Sequence, residues 1–247
     1  MPINSPFLSS FWTMSSNFGD VLGPWLTRAI SKKPVVYVES KADLEHFVCG
    51  GSILNWAGPK AVVWGAGLGT MTDGVGPCNI RAVRGPFSRQ RALSCGALCP
   101  RIYGEPALLL PRFYKPCSTP TGLGIVPHYV DQYRVNSWWL GQYKIIDVLQ
   151  PVEKVIDEIV SCNKIISSSL HGLIVAHAYG IPAAWAKFSD SIGGDGIKYH
   201  DYLASVGVEV DGPCDMRNGE MKVPEFTEAK GLEGLTRRLW DSCPFLP

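Results

Sequence analysis

One stretch of the chain, residues 165–183, reads IISSSLHGLIVAHAYGIPA. It opens on an apolar run that is typical of a buried parallel strand, and three serines follow as a turn. Residues 170–179 are apolar and lead to Gly180 and Pro182, which are the usual end signals of a helix. A second apolar run (183–188) comes next. The stretch therefore predicts a strand, a helix and a further parallel strand.

The same alternation continues on both sides of this stretch. Helices are predicted over residues 86–94 and 152–160, where proline marks the start and, in the second, apolar residues recur at helical spacing. A further helix is predicted over 225–241. The other strands are predicted over residues 35–38, 47–48, 61–64, 80–83, 107–110, 124–126, 144–148 and 164–168. The fold class is therefore α/β, with parallel sheets covered by helices on both faces.

Length and a linker predict two domains. The chain has 247 residues, about 1.6 times a domain of ~150 residues. Residues 115–124 (KPCSTPTGLG) are rich in proline, threonine and glycine, which makes them the best linker candidate. We therefore predict two Rossmann-like domains, over 1–121 and 122–247. The C-terminal helix is an element that could pack back on the first domain.

The composition excludes several classes of protein. The net charge is +1 and only 18% of residues are charged, so no general positive field attracts nucleic acid. Eight cysteines without paired metal-ligand spacing indicate neither a disulfide scaffold nor a zinc site. No signal peptide and no apolar run of ~18 residues is visible, so we expect a cytoplasmic protein with reduced thiols. The low charge leaves self-association and peripheral membrane association open.

The turn between the predicted strand and helix is the first candidate site. In an open α/β sheet, the ligand crevice lies at the carboxyl ends of the strands, and a helix N-terminus there binds anions. Ser168, Ser169 and Leu170 lie at this end, and His171 follows in the first helical turn, where it could donate to an anion or move a proton. The alternative is that the serines only cap the helix and His171 is structural.

Two cations are candidates for binding an anion. Arg84 ends a buried-looking strand, and its planar fork suits a carboxylate or phosphate. Lys198 follows a glycine-rich segment (193–196) that would form a mobile loop. The alternatives are a salt bridge for Arg84 and an ordinary surface position for Lys198.

Polar residues near two other predicted segments complete the candidate set. Asn17 and Asp20 open an amphipathic segment, where Asp20 either caps a helix or binds a sugar hydroxyl. His128 ends a strand, as Arg84 does. His46, His177 and His200 are predicted to be structural.

The motifs at these positions resemble one family. The chain is similar to the polysaccharide pyruvyl transferases, in particular the bacterial ketal-pyruvate transferases of exopolysaccharide synthesis. The matching pieces are NFGD (17–20), CGGSIL (49–54), VVWGAG (62–67), IRAVRGPFS (80–88), YGEPALLLP (103–111), GIVPH (124–128), the stretch 165–183 and KYHDYL (198–203).

The resemblance implies an architecture and a reaction. The architecture is a two-domain arrangement like the GT-B glycosyltransferases, with the active site in the cleft between domains. The donor is phosphoenolpyruvate, and no cofactor or metal is expected. The product is a cyclic pyruvate ketal on two hydroxyls of a sugar or lipid-linked oligosaccharide, with release of phosphate. The expected place of action is the cytoplasmic face of the plasma membrane.

The resemblance also implies roles for the candidate residues. The residues expected to bind the donor are Arg84, Ser168, Ser169, Leu170, His171 and Lys198. The residues expected to bind the acceptor are Asn17, Asp20 and His128. One departure matters, because many members carry arginine where this chain has Ser169. Phosphate must then be held by hydroxyls, helix N–H groups and Arg84, with Arg81 or Lys187 as further candidates.

These roles lead to a hypothesis for catalysis. His171 handles a proton or the departing phosphate, and Asp20 or His128 deprotonates the acceptor hydroxyl. Two other functions stay open. One is a nucleotide-sugar glycosyltransferase of GT-B architecture, which usually holds the ribose with acidic residues that are sparse here after His171. The other is a non-catalytic glycan-binding member of the family.

Overall fold

The structure is a computed structural model that describes residues 5–246. Its strands are β1 (Leu8–Phe11), β2 (Val35–Tyr37), β3 (His46–Cys49), β4 (Ala61–Ala66), β5 (Asn79–Val83), β6 (Leu123–Val126), β7 (Lys144–Ile145), β8 (Lys164–Ser167), β9 (Ala183–Lys187) and β10 (Cys214–Asp215). Its α-helices are α1 (Phe18–Ser31), α2 (Pro86–Ser94), α3 (Gln132–Trp139), α4 (Val152–Val160), α5 (Leu170–Ala178), α6 (Ile197–Ser205) and α7 (Leu232–Asp241). Short 3-10 helices span Leu54–Trp56, Pro106–Arg112 and Tyr129–Asp131.

Two five-stranded sheets form, and every pairing within them is parallel. The first has the order β2-β1-β3-β4-β5. The second, read from the same edge, has the order β7-β6-β8-β9-β10. Both orders are the doubly wound 2-1-3-4-5 arrangement. The predicted α/β class with two Rossmann-like parallel sheets is confirmed.

One predicted strand is a helix in the structure. Residues 107–110 lie in the 3-10 helix Pro106–Arg112. Pro106 supplies the fixed φ that suits a first helical position, and the Glu105 side chain accepts a hydrogen bond from the Ala107 N–H. A buried apolar run of this length looks the same in a strand and in a helix, so periodicity did not separate the two.

Other element bounds also differ from the prediction. The C-terminal helix begins at Leu232 rather than near residue 225. Strand β1 and helices α3 and α6 were not predicted as such. Helix α6 carries polar and aromatic side chains, and its order comes in part from the stacking of Tyr199 on Trp185, with ring centroids 4.4 Å apart.

A continuous apolar core joins the parts of the chain that build the two sheets. Phe18 and Leu22 of α1 and Leu108 of the 3-10 helix pack in one cluster with Ile156 of α4 and Ile174 of α5. Burial of such side chains stabilises the fold by roughly 1.5–3 kcal/mol each. The contact of α1 and the 3-10 helix with α5 brings the first turn of α1 and the first turn of α5 together.

Helix α7 returns to the first sheet. The indole N–H of Trp64 in β4 donates to the Leu239 carbonyl at 3.0 Å and to the Ser242 hydroxyl at 3.2 Å. Phe245 packs edge-on against the rings of Trp64 and Phe47. Among the helices within residues 5–246, none is long and apolar enough to cross a membrane.

Candidate active site

The strand order places one ligand-binding crevice in each sheet. In a 2-1-3-4-5 sheet, the connections from the first and third strands leave in opposite directions, and the crevice opens at the carboxyl ends of these two strands. In the first sheet these ends are those of β1 and β3. In the second they are those of β6 and β8. Asn17 and Asp20 follow β1, His128 follows β6, and His171 follows β8, whereas Arg84 and Lys198 come after β5 and β9.

The two crevices meet at His171. His171 is the second residue of α5, after β8, and Gly19 is the second residue of α1, after β1. A Cβ at position 19 would lie 2.2 Å from His171 Nδ1. The glycine of the NFGD motif therefore leaves the space that the imidazole occupies, and a side chain there would displace the ring.

A buried carboxylate lies on the other side of the same ring. Glu105 is 2% exposed, and its Oε1 lies 3.6 Å from His171 Nε2. Gly50, directly after β3, has a φ of +69°, and a Cβ there would lie 2.1 Å from Glu105 Oε1. Glycine at position 50 thus satisfies both an unusual backbone conformation and a close approach.

His128 is held as a neutral imidazole. Burial and, to a smaller extent, the Lys198 charge lower its pKa to about 4, while the Asp131 and Asp20 charges oppose this shift. Its Nδ1 accepts a hydrogen bond from the Val130 N–H at 3.4 Å. At neutral pH this histidine is unprotonated, and a neutral imidazole can accept a proton.

Lys198 lies in the first turn of α6 with its ammonium near the same residues. Burial and, to a smaller extent, the Arg84 charge lower its pKa to about 8, while the Asp20 charge opposes this shift. Its Nζ donates to the Gly193 carbonyl at 3.4 Å. Lys198 is therefore half-buried beside charged groups rather than on the open surface.

Arg84 is fully buried and already has protein partners. Its Nε donates to Asp201 Oδ2 at 3.1 Å, Nη1 to the Ser52 hydroxyl at 2.8 Å and Nη2 to the Leu68 carbonyl at 2.7 Å. Burial lowers the pKa of its guanidinium, and the Asp201 and Glu105 charges oppose this. The structure places Arg84 in a salt bridge, and its contact with a donor stays a prediction.

The serine turn is buried and differs from residue to residue. The Ser168 hydroxyl donates to Asp131 Oδ2 at 2.8 Å and accepts from the His128 N–H at 2.9 Å. Ser169 precedes α5 as its N-cap but makes no side-chain capping bond, and Leu170 packs in the core. Ser168 thus joins the ends of β6 and β8. Donor binding by these three residues stays a prediction.

Asp20 does not cap α1, contrary to one alternative considered from the sequence. It is the third helical residue, and Asn17 holds the N-cap position without a capping bond from its side chain. Asp20 Oδ2 accepts from the Ser15 hydroxyl at 2.5 Å and from the Asn17 amide at 3.1 Å. The carboxylate is thus anchored beside the opening of α1.

The two further cations proposed for phosphate lie in different places. Lys187 pairs with Asp190 at 2.6 Å with both side chains substantially exposed, and it lines a cavity of about 440 Å³ together with Lys198. Phosphate binding by Lys187 stays a prediction. Arg81 lines a cavity of about 830 Å³ together with Leu98 and Arg238. That cavity lies at the amino end of β5, whereas ligands of doubly wound sheets bind at carboxyl ends.

Three buried acids were missed as site residues. Glu105 faces His171, Asp131 accepts from Ser168 and Ser189, and Asp201 pairs with Arg84. For Glu105 a signal existed in the sequence, because it lies in the YGEP motif directly before an apolar run. Burial of carboxylates is costly unless they are paired or hydrogen-bonded, so each of these pairings is informative.

The geometry defines an α/β protein whose two doubly wound sheets join their crevices around a histidine. Comparison with known proteins identifies the family of this chain. The family model for polysaccharide pyruvyl transferase matches residues 16–186. The chain belongs to the polysaccharide pyruvyl transferase family.

Two relatives cover most of the chain. The uncharacterized protein L143 of Acanthamoeba polyphaga mimivirus is 30% identical over 221 residues, which are 81% of this chain and 75% of that protein. The succinoglycan biosynthesis protein ExoV of Rhizobium meliloti (strain 1021) is 28% identical over 217 residues, which are 80% of this chain and 64% of that protein. No solved structure matches the chain.

Proposed function

We propose that this protein transfers pyruvate from phosphoenolpyruvate to two hydroxyls of a sugar in an exopolysaccharide repeat unit. The product is a cyclic pyruvate ketal, and phosphate is released. The convergence of His171, His128, Lys198 and Asp20 at the joined crevices of a family member carries the proposal. The name of ExoV, a succinoglycan biosynthesis protein, supports a polysaccharide as the acceptor.

The groups present suit an anionic donor. Phosphoenolpyruvate carries a carboxylate and a phosphate on one small enol, and both need N–H groups or cations. The N-termini of α1 and α5 come together beside His171, and the first turn of α5 supplies N–H groups at a positive dipole end. In α1 the Phe18 and Asp20 N–H groups already donate to the Val148 and Asn17 carbonyls. Lys198 supplies a cation that is not enclosed in a salt bridge as Arg84 is.

The proposed chemistry needs one acid and one base. Protonation of C3 of the enol makes C2 electrophilic, a sugar hydroxyl attacks C2, phosphate leaves, and the second hydroxyl closes the ketal. His171 is the proposed group for the donor proton or the departing phosphate. His128, with its pKa lowered to about 4 by burial, is unprotonated at neutral pH and is the proposed base for the acceptor, alongside Asp20.

The proposal extends to the place and partners of the reaction. A lipid-linked repeat unit as acceptor places the enzyme in the cytoplasm at the inner face of the plasma membrane. Peripheral attachment and self-association are proposals on the same basis. They are supported by the low charged fraction of 18%, which leaves surface for a membrane or a second copy.

An assay of the purified protein tests the reaction. We expect phosphorus NMR to show inorganic phosphate formed from phosphoenolpyruvate only when a suitable oligosaccharide is present. With phosphoenolpyruvate labelled with ¹³C at C2, we expect the label to appear at a ketal carbon of the glycan. Release of a nucleoside diphosphate from a nucleotide sugar would instead indicate a glycosyltransferase. Glycan binding without phosphate release across a panel of acceptors would indicate a non-catalytic member.

A further inference from the structure

Glu105 is a buried acid at the point where the two crevices meet. It lies between β5 and the 3-10 helix Pro106–Arg112 and is 2% exposed. A carboxylate in this position is costly unless specific groups satisfy it. Its two oxygens have different surroundings, and these surroundings indicate what the residue does.

One oxygen is held by the backbone. Oε2 accepts a hydrogen bond from the Ala107 N–H at 2.6 Å, which fixes the carboxylate at the start of the 3-10 helix. The other oxygen, Oε1, lies 3.6 Å from His171 Nε2. Among residues 5–246, no acceptor lies within hydrogen-bond distance of Nε2, and this nitrogen is shielded from solvent. Oε1 therefore faces a buried polar atom that needs a partner.

Two glycines keep this pair in place. Gly50 leaves room for Oε1, and Gly19 leaves room for the opposite edge of the imidazole at Nδ1. The charge of Glu105 also reaches its other neighbours. Burial raises the pKa of the Cys49 thiol and of the Tyr202 phenol, and the Glu105 charge adds to both shifts.

We propose that Glu105 is a positioning residue for His171 in the pyruvyl transfer reaction, an inference that rests on the proposed function. Its Oε1 accepts the Nε2 proton of the imidazole. The ring is thereby held with Nδ1 toward the N-terminal turn of α1, and Nδ1 is the nitrogen left to exchange a proton with the donor or phosphate.

A purely structural alternative exists, in which Glu105 only caps the 3-10 helix. Glu105→Gln separates the two, because the amide oxygen can still accept from the Ala107 N–H while an NH₂ group replaces the oxygen that faces His171. Glu158→Gln is the matched control. Glu158 is a partly buried glutamate of α4 that pairs with Lys154, away from these residues.

The first readout needs no activity. In protein labelled with ¹⁵N-histidine, with the His171 signals assigned from a His171→Gln variant, we expect the neutral ring to carry its proton on Nε2. In Glu105→Gln we expect the neutral ring to carry its proton on Nδ1 instead, because the NH₂ group that faces Nε2 donates and cannot accept. The other charged groups near the site, Asp20, His128 and Lys198, are unchanged in this variant, so the change of tautomer reports on Glu105.

The second readout is kinetic. We expect Glu105→Gln to lower kcat by at least ~10-fold, as loss of a partner that orients a histidine does, with a much smaller change in the KM for phosphoenolpyruvate. Glu158→Gln should match the wild type in both readouts.

Three results would overturn the inference. One is a wild-type His171 whose neutral ring carries its proton on Nδ1, which can be observed even if Glu105→Gln does not fold. Another is a folded Glu105→Gln protein with wild-type kcat. The third is a lowered kcat in Glu105→Gln with the His171 proton still on Nε2, which would leave only the capping role. Absence of pyruvyl transfer by the wild type would instead contradict the proposed function, while the NMR result would still report on the pair.

Discussion

The two halves of this protein have the same strand order but contribute different side chains to the candidate site. At the carboxyl ends of its strands, the first sheet places glycines and the carboxylates of Asp20 and Glu105. The second sheet places His128, His171 and Lys198 at the equivalent ends. One architecture, used twice, therefore builds a site from complementary groups. The difference lies in the turns that follow the strands and not in the sheets.

The same contrast separates the two cations expected to bind the donor. Arg84, from the first half, is fully buried and joined to Asp201 of the second half. Asp201 also accepts from the Ser88 N–H and hydroxyl at the start of α2. Lys198, three residues before Asp201 on α6, has one long hydrogen bond to a loop carbonyl, and its ammonium lies 5.4 Å from the centre of the Tyr199 ring. The arginine therefore joins the halves, and the lysine is the cation with capacity for a ligand.

The largest expected effect tests whether the histidine of the second half is the reacting group. We expect His171→Ala to lower kcat by ~10²–10⁴-fold, since this is the contribution of a positioned acid or base. The thermal unfolding midpoint should change little. His200→Ala, at a half-buried histidine beside Trp185, is the control and should stay active. Wild-type turnover by His171→Ala would remove His171 from the mechanism.

The second prediction concerns the ion pair between the halves. We expect Asp201→Asn to lower the free energy of unfolding by about 3 kcal/mol or more, because removal of one partner leaves the buried Arg84 charge uncompensated. Urea denaturation measures this. Asp190→Asn is the control, since the Lys187–Asp190 pair is largely exposed and should contribute little. Equal stability of the two variants would show that Arg84 does not need Asp201.

The third prediction concerns His177, a buried histidine of α5, and the pH dependence of stability. His177 is 1% exposed and contacts the Tyr202 hydroxyl and the Thr227 carbonyl, and burial lowers its pKa to about 4. The unfolded chain binds the proton more readily, so stability is complete above pH ~6.5 and falls as the pH drops towards 4, by at most about 3 kcal/mol.

Urea unfolding at several pH values tests this dependence. His128, whose pKa is also lowered to about 4, contributes loss of stability in the same window. We therefore expect His177→Gln and His128→Gln each to reduce the acid dependence and the double variant to reduce it most. An undiminished dependence in the double variant would assign the acid loss to other groups.

The smallest expected effect tests Lys198. Because its pKa is lowered to about 8 by burial and by the Arg84 charge, its cation is lost as the pH rises above 8. We expect kcat/KM for phosphoenolpyruvate to fall by ~10-fold per pH unit in that range. Lys198→Arg should keep its charge and extend the plateau to higher pH. A wild-type profile that stays flat above pH 8 would argue against donor binding by Lys198.

Much of the fold was predictable from local pattern. The amphipathic spacing in α4 and the proline and glycine that bound α2 and α5 lie within the sequence of each element. Parallel strands appear as apolar runs because both of their faces are covered. The strand prediction for residues 107–110 was wrong because a buried helix also shows an unbroken apolar run.

The candidate site was predictable only in part. His171 and His128 follow strands directly, so a local rule about carboxyl ends finds them. The partner of Arg84 lies 117 residues further along the chain, and nothing near Arg84 indicates it. Glu105 is one of 22 acidic residues in the sequence, and its distinction is burial against an imidazole.

The sequence by itself determined the class of fold, many of the strands and helices, and the turns that carry histidine, serine and glycine, because each depends on neighbours a few residues away. Tertiary structure decided which cation is enclosed and which is available, that Gly19 and Gly50 make room for His171 and Glu105, and that the two crevices form one site. These properties depend on burial and on distances between segments far apart in the chain, and electrostatic interactions change strongly with both.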